Sequence, residues 1–551
     1  HVCNQGGSGN VYIGKNAGAT STNTYNNVFI GPDAGAAAVV SPSDDGDGHY
    51  NVYIGSNAGC AVIGKSRNVF IGNNAGCNAQ SGCSVIIGST IGPNADGASN
   101  VLIGRCIALD SSYDANANVF MGYYAGQKNT TGDYNIFFGR KAGRCNTTGG
   151  RNIALGELAL GNGTVTGSCN VVLGYKAGED QTTGDNNVLL GTQTGKTIGV
   201  GACNVFIGKD AGEGSGTAAD NDASENIAIG HQAGQGLTDG DNNIFLGEEA
   251  GKNINTGGSN IAIGQEAGRY GCARNYNISI GYRAGYLIGG HDGNIFIGKQ
   301  AGQGSGTATD NSGENNIALG TSAMEALTTG DMNVAIGEGA AKDMDTGRYN
   351  VYIGACAGCS TSSGTYNVAF GQNAGKAIST MQYGVFMGHH AGCFRTTGES
   401  NIAIGREALK GTSGSATGEK NIGVGYRAGY SVSTGINNII MGSEAGYAAT
   451  TGSKNIFIGC CAAIIGVVTG DNNIAMGTAA HRALTSGASN VILGNYAAGA
   501  LTTGTDNVIL GCYAAKNSIS LCGNILIGPE TGACLCNGSH NIIMGQYAGR
   551  G

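Results

Sequence analysis

The chain repeats one short pattern of apolar and polar positions from residue 10 to its last residues. Numbered from its first residue, usually Asn, the pattern has Val or Ile at position 2, an apolar residue at position 4 and Gly at position 5 in all 31 copies, which run from Asn10 to Asn541. Position 8 is usually Ala, position 9 is usually Gly, and positions 13–15 often read Thr-Thr-Gly. The commonest step between copies is 17 residues. A repeat of this length predicts a solenoid rather than a series of globular domains.

The apolar alternation at positions 2 and 4 predicts a short β-strand in each copy. Two glycines in 17 residues argue against a helix. We therefore predict an all-β parallel β-solenoid, a β-roll or β-helix of about 31 coils, over residues 1–551 as one continuous array that is uncapped at both ends. At ~4.8 Å per coil it would be a rod of roughly 150 Å. Longer steps predict loop insertions near 36–50, 213–225, 303–315 and 411–420.

Position 1 is Asn in 29 copies, the exceptions being Ser84 and Gly384. Stacked coils would align these side chains into a hydrogen-bonded asparagine ladder. The alternative is that each Asn only forms a turn. We predict a ladder, represented here by Asn118, Asn135, Asn152, Asn170, Asn187 and Asn204.

Position 3 is apolar in nearly every copy, although it should face solvent if positions 2 and 4 face the core. An apolar stripe along the whole array exceeds what a monomer surface usually exposes. It predicts side-by-side association of identical chains, most simply about a cyclic axis. The alternative is a wide, flattened coil in which position 3 faces a layer inside the coil. The predicted oligomer interface is Tyr12, Phe29, Tyr53, Phe70, Phe120, Phe137, Phe206, Phe245, Phe296, Tyr352, Phe386 and Phe457.

The motif NVFIGKDAG at 204–212, with TTGDYN at 130–135, resembles the head repeats of trimeric autotransporter adhesins and related repeats in phage and viral tail fibres. The resemblance implies a left-handed parallel β-roll in which three chains pack along their strands. It also implies an extracellular location, on a cell surface or a virion.

Composition narrows the possible chemistry. Charged residues are 12% of the chain and the net charge is −8, so no basic stripe indicates nucleic-acid binding, and no apolar run is long enough for a membrane span. No catalytic constellation or phosphate loop is found, so we expect neither an enzyme nor a cofactor. His389-His390 reads as an exposed pair. Asp44, Asp45 and Asp47 are weak Ca²⁺ candidates in an acidic loop.

The 18 cysteines do not form one framework. Cys60 and Cys77 both occupy position 10 of consecutive coils, so stacking would bring their Cα atoms ~5 Å apart, close enough for a disulfide. Cys356 and Cys359 form a C-x-x-C on a coil corner, without the context of a thioredoxin motif.

We therefore expect a structural fibre or adhesin shaft of an extracellular appendage or virion, a rigid rod for attachment or spacing. Its partners would be copies of itself, in a trimer or stacked end to end, and a host-surface receptor or glycan. Nucleic acid and membrane insertion are not expected. One alternative is a self-stacking extracellular filament subunit, favoured by the uncapped ends. A second is a glycan- or ice-binding solenoid, in which the Thr-Thr-Gly columns would present hydroxyls.

Overall fold

The structure is a computed structural model that describes residues 7–37, 48–92, 96–110, 112–218, 221–271, 273–287, 289, 291–307, 311–412, 414 and 416–550. These residues form 33 short β-strands and no α-helix. The chain divides into two compact units, His1–Tyr276 and Asn277–Gly551.

The first unit contains the strands β1 Val11–Ile13, β2 Val28–Ile30, β3 Val52–Ile54, β4 Val69–Ile71, β5 Val85–Ser89, β6 Val101–Arg105, β7 Val119–Tyr123, β8 Ile136–Phe138, β9 Ile153–Leu155, β10 Val171–Leu173, β11 Val188–Leu190, β12 Val205–Ile207, β13 Ile227–Ile229, β14 Ile244–Leu246 and β15 Ile261–Ile263. The second contains β16 Ile278–Ile280, β17 Ile295–Ile297, β18 Ile317–Leu319, β19 Val334–Ile336, β20 Val351–Ile353, β21 Val368–Phe370, β22 Val385–Met387, β23 Ile402–Ile404, β24 Ile422–Val424, β25 Ile439–Met441, β26 Ile456–Ile458, β27 Ile474–Met476, β28 Val491–Leu493, β29 Val508–Leu510, β30 Ser520–Cys522, β31 Ile525–Ile527, β32 Asn537–Ser539 and β33 Ile542–Met544.

Within each unit, equivalent strands of successive coils pair in parallel and in register. Phe120 lies beside Phe137, for example, and Met121 beside Phe138. β30 and β32 form a separate parallel pair. The Cα atoms of Cys60 and Cys77, at the same position of neighbouring coils, are 4.7 Å apart, which is the spacing of paired strands. The predicted all-β parallel solenoid with a 17-residue period is confirmed.

The predicted facing of the strands is wrong, because position 3 points into the coil and not out of it. The predicted interface residues Phe29, Tyr53, Phe70, Phe120, Phe137, Phe206, Phe245, Phe296, Tyr352, Phe386 and Phe457 are at most 1% exposed within the single chain. Tyr12, in the first strand, is partly buried and packs against the same core. Positions 1 and 3 share one face of a strand, so the buried Asn brings position 3 inward with it. The alternative that placed position 3 inside the coil had the correct facing.

The interior of a coil is filled jointly by positions 3 and 9. In the Asn135 coil, Phe137 fills the interior and position 9 is Gly143, where a Cβ would lie 2.4 Å from the Phe137 ring. In the next coil the sizes are exchanged: position 3 is Ala154 and position 9 is Leu160, both fully buried. Position 9 has a left-handed backbone in both coils. Each coil therefore fills the equivalent part of its own interior, one from position 3 and the next from position 9 on the opposite wall.

The glycine at position 5 is required by the stacking distance. Gly139 has a φ of 137°, and a Cβ on it would lie 2.6 Å from the carbonyl oxygen of Gly156 in the next coil. No side chain fits between two coils at that spacing, whatever its size. This explains why position 5 is Gly in all 31 copies.

The asparagine ladder is present. The side-chain Oδ1 of Asn135 accepts the backbone N–H of Asn152 at 2.8 Å, and Asn152 Oδ1 accepts the N–H of Asn170 at 2.9 Å. The Nδ2 of Asn152 donates to the carbonyl of Gly167 at 2.8 Å. The same bonds link Asn118, Asn135, Asn152, Asn170, Asn187 and Asn204, all fully buried. Each side chain satisfies backbone groups that a turn would otherwise bury without partners.

A second ladder runs along position 13. The Thr130 hydroxyl donates to the carbonyl of Thr147 at 3.1 Å, and the Thr147 hydroxyl donates to the carbonyl of Val165 at 3.2 Å. Thr182, Thr485 and other copies repeat the bond. These hydroxyl protons join one coil to the next and are not presented to solvent.

Candidate association surface

The outer side of the strands is an apolar surface, which we call the apolar face and define as positions 2 and 4 of every coil. Both alternate with the buried positions 1 and 3, so both point outward. Ile136 is 41% exposed and Phe138 is 53% exposed, whereas Phe137 between them is fully buried. Position 2 is Val or Ile and position 4 is Ile, Leu, Met, Phe or Val in all copies, so the face contains no charged residue.

The apolar face is large even within one unit. The first unit contributes 15 paired strands. With ~4.8 Å between strands and ~10 Å along three residues, it measures roughly 700 Å². Apolar patches on monomers are usually limited to about 300–600 Å², and each partner in a stable complex buries about 800 Å². The face of one unit is therefore of interface size.

Exposed aromatic residues stack just before three strands of the second unit. Tyr349, Tyr366 and Tyr383 precede position 1 of three consecutive coils and are about half exposed. Their rings stack with centroids 4.9 and 5.3 Å apart. The backbone at these tyrosines is left-handed, with φ of 57–58°, so the alternation of the strand does not extend to them. They form an exposed aromatic stack next to the beginning of the strands.

Another corner of the coil, at positions 7 and 10, is polar. Glu407 and Lys410 occupy these positions in one coil and form an ion pair at 3.0 Å, and Arg427 of the next coil contacts Glu407 at 2.7 Å. The hydrogen bond from Arg427, together with that from Lys410, lowers the pKa of Glu407 to about 2. Charged residues are thus paired on a corner outside the apolar face.

The cysteine prediction is confirmed at one site, where Cys60 and Cys77 form a disulfide between consecutive coils. Cys356 and Cys359 are free thiols on their corner. The rings of His389 and His390 are in contact, and His390 Nδ1 lies 3.4 Å from Cys393 Sγ. Among the described residues no group of three or more His, Cys, Asp and Glu side chains is placed to hold a metal ion. Asp44, Asp45 and Asp47 lie outside the described residues.

The sequence reasoning missed several buried polar side chains, among them His481 and Arg395. His481 replaces the usual glycine at position 9 and is fully buried, and neither ring nitrogen has a hydrogen-bond partner in the described part of the chain. Burial lowers its pKa to about 3. Arg395 is also fully buried, and its guanidinium donates to the carbonyls of Leu409, Gly418 and Val432. Their positions within the repeat could have indicated this burial, because His481 and Arg395 stand where other coils have residues that face the interior.

The described residues contain no helix that is long and apolar enough to cross a membrane. No protein-family model matches the chain, and a search of curated proteins also finds no match. The class defined by the fold is that of parallel β-solenoid repeat proteins.

Proposed function

We propose that the chain is the structural shaft of a fibre, in which copies of the chain associate side by side through the apolar face. The observation that supports this is the face itself: two uncharged apolar columns that recur in every coil and stay partly exposed in the single chain. Covering such a surface is favourable by about 25 cal/mol per Å². An identical chain offers a surface of the same length and the same coil spacing.

The proposed assembly has three chains around one axis, with the apolar faces turned inward. The number three rests on the resemblance of the repeat to the heads of trimeric autotransporter adhesins. The proposed location is extracellular, on a cell surface or virion, where the shaft would space or display an attachment site. The Cys60–Cys77 disulfide favours an oxidising compartment.

The test places charges on the apolar face of both units at once. Ile136, Phe138, Phe370 and Met387 are 41–53% exposed, so Asp at these four positions should leave the coil interior intact. An unpaired carboxylate buried at an interface should cost several kcal/mol. We expect analytical ultracentrifugation to show a discrete oligomer for the wild type and at least a tenfold weaker association for the variant.

The control replaces Thr131 and Thr148 with Asp, because both are exposed and lie outside the apolar face. This variant should associate like the wild type. Circular dichroism must show that both variants keep the β structure. A monomeric wild type, or equal association of the two variants, would refute the proposed interface. Growth without a limiting size would instead support the alternative of a self-stacking filament.

A further inference from the structure

Two cysteines on one corner, Cys356 and Cys359, have a chemistry that a structural shaft does not use. They occupy positions 7 and 10 of the Asn350 coil and are both free thiols. The Cys359 N–H donates to the Cys356 carbonyl at 3.4 Å, which closes a turn. A turn of this kind keeps the first and fourth Cα atoms within about 7 Å. That separation overlaps the range of a disulfide, about 4.4–6.8 Å.

Side chains at positions 7 and 10 of one coil contact each other along the chain. The Glu249–Lys252 pair is separated by 2.8 Å and the Glu266–Arg269 pair by 2.7 Å. In the Asn350 coil the same geometry places two thiols side by side. Burial, and then the hydrogen bond to Cys356, raises the pKa of the Cys359 thiol to about 11. Cys359 therefore keeps its proton and donates it toward the sulfur of Cys356.

A cavity gives access to the more exposed thiol of the pair. Position 7 of the preceding coil is Gly339, the one glycine at this position among the 31 copies. A Cβ at Gly339 would lie 3.6 Å from Cys356 Sγ, so a side chain there would cover the sulfur. Without one, a cavity of about 390 Å³ opens beside Cys356, with Glu338 and Lys342 also in its wall. Cys359 is 7% exposed and does not line the cavity.

We propose that Cys356 and Cys359 form a thiol–disulfide exchange site that accepts small disulfides such as glutathione disulfide. The Cys356 thiolate attacks one sulfur of the small disulfide, forming a mixed disulfide and releasing one thiolate. Cys359 then loses its proton to solvent and attacks Cys356 Sγ, which releases the second thiolate. The protein loses two electrons and two protons, and the small disulfide leaves as two thiols.

The test treats reduced full-length protein with glutathione disulfide, blocks the remaining thiols, and maps tryptic peptides by mass spectrometry. Peptide 349–376 contains Cys356 and Cys359 and no other cysteine. We expect it to lose two hydrogen atoms. Peptide 377–395 is the internal control, because its one cysteine, Cys393, is 1% exposed and should remain reduced. A peptide 349–376 that stays reduced, or that reacts no faster than the control, would overturn the proposal.

Three variants separate the attack of Cys356 on the small disulfide from the attack of Cys359 that breaks the mixed disulfide. Cys359→Ser should accumulate glutathione on Cys356, because the resolving thiol is gone. Cys356→Ser should react at least about tenfold more slowly, since the remaining thiol is buried. Gly339→Asn should slow the reaction by about tenfold by covering Cys356. The backbone accepts this change, because Asn57 holds the same position of its own coil with φ 58°, against 62° at Gly339. Failure of Cys359→Ser to accumulate the mixed disulfide would contradict the assigned order.

Discussion

Exchanging the interior residues of one coil tests the shared filling of positions 3 and 9. Phe137→Ala should cost about 3–5 kcal/mol, because it empties a fully buried site. Gly143→Leu should cost about 4 kcal/mol: a Cβ there already lies 2.4 Å from the Phe137 ring, and the φ of 55° is left-handed. The double variant copies Ala154 and Leu160 of the next coil. It should lie within about 2 kcal/mol of the wild type, which couples the two sites by at least ~5 kcal/mol.

Hydrogen exchange of peptides covering the Asn135 and Asn152 coils measures this effect locally, which suits an array without one global transition. Each single variant should exchange about 100-fold or more faster, since 1.4 kcal/mol corresponds to about tenfold. The double variant should recover most of that protection. A double variant that is as unprotected as the sum of the single variants would show that the two positions do not share one space.

Three further perturbations test other contacts. Asn152→Ala removes the acceptor of the Asn170 N–H and should destabilise the local coils by about 3 kcal/mol. Asn152→Ser should cost less, because the hydroxyl of Ser84 accepts the equivalent N–H. Hydrogen exchange of the Asn170 amide measures both variants, and equal effects would count against the ladder. Cys60→Ser should lower the local stability by about 3 kcal/mol through loss of a 17-residue loop closure, and unchanged hydrogen exchange of the two coils that contain Cys60 and Cys77 would contradict this. The pKa of His481 is about 3 in the folded chain, so below pH ~6.5 only the unfolded state binds the extra proton, and stability falls as pH falls. His481→Leu removes this loss and should therefore be more stable than the wild type by about 2 kcal/mol at pH 5. A stability profile against pH identical to that of the wild type would refute the assignment.

The repeat made the coil, the ladder and the disulfide predictable, because each follows from placing equivalent positions one above another. Which side chains of each strand face the interior was not inferred correctly, because Val and Ile at position 2 suggested that this position lies in the core. Two signals in the sequence could have corrected it. A buried Asn at position 1 requires position 3 to face the same way. The inverse sizes of Phe137 with Gly143 and of Ala154 with Leu160 also indicate two positions that share one interior.

The remaining features could not be read from the repeat. The cavity beside Cys356 depends on one glycine in a neighbouring coil, and its size is set by how the coils pack. The buried state of His481 depends on the position 9 backbone turning inward, which the pattern alone does not show. An apolar stripe on the surface was expected, but it was assigned to position 3 instead of positions 2 and 4.

The bonds between coils have a consequence for how such a chain can change in length. Both ladders and the strand pairing join residues at equivalent positions of successive coils. Removing residues 135–151 would bring Asn152 onto Asn118, and the acceptor used by Asn135 would be available to it. Loss or duplication of a whole coil therefore creates no foreign junction. A single extra residue within a coil is tolerated as well, because Asn152 and Asn170 are 18 residues apart and keep the ladder bond. The number of stacked coils therefore changes in whole units, whereas residues added within one coil leave the ladder intact, as in the 22-residue step from Asn204 to Asn226.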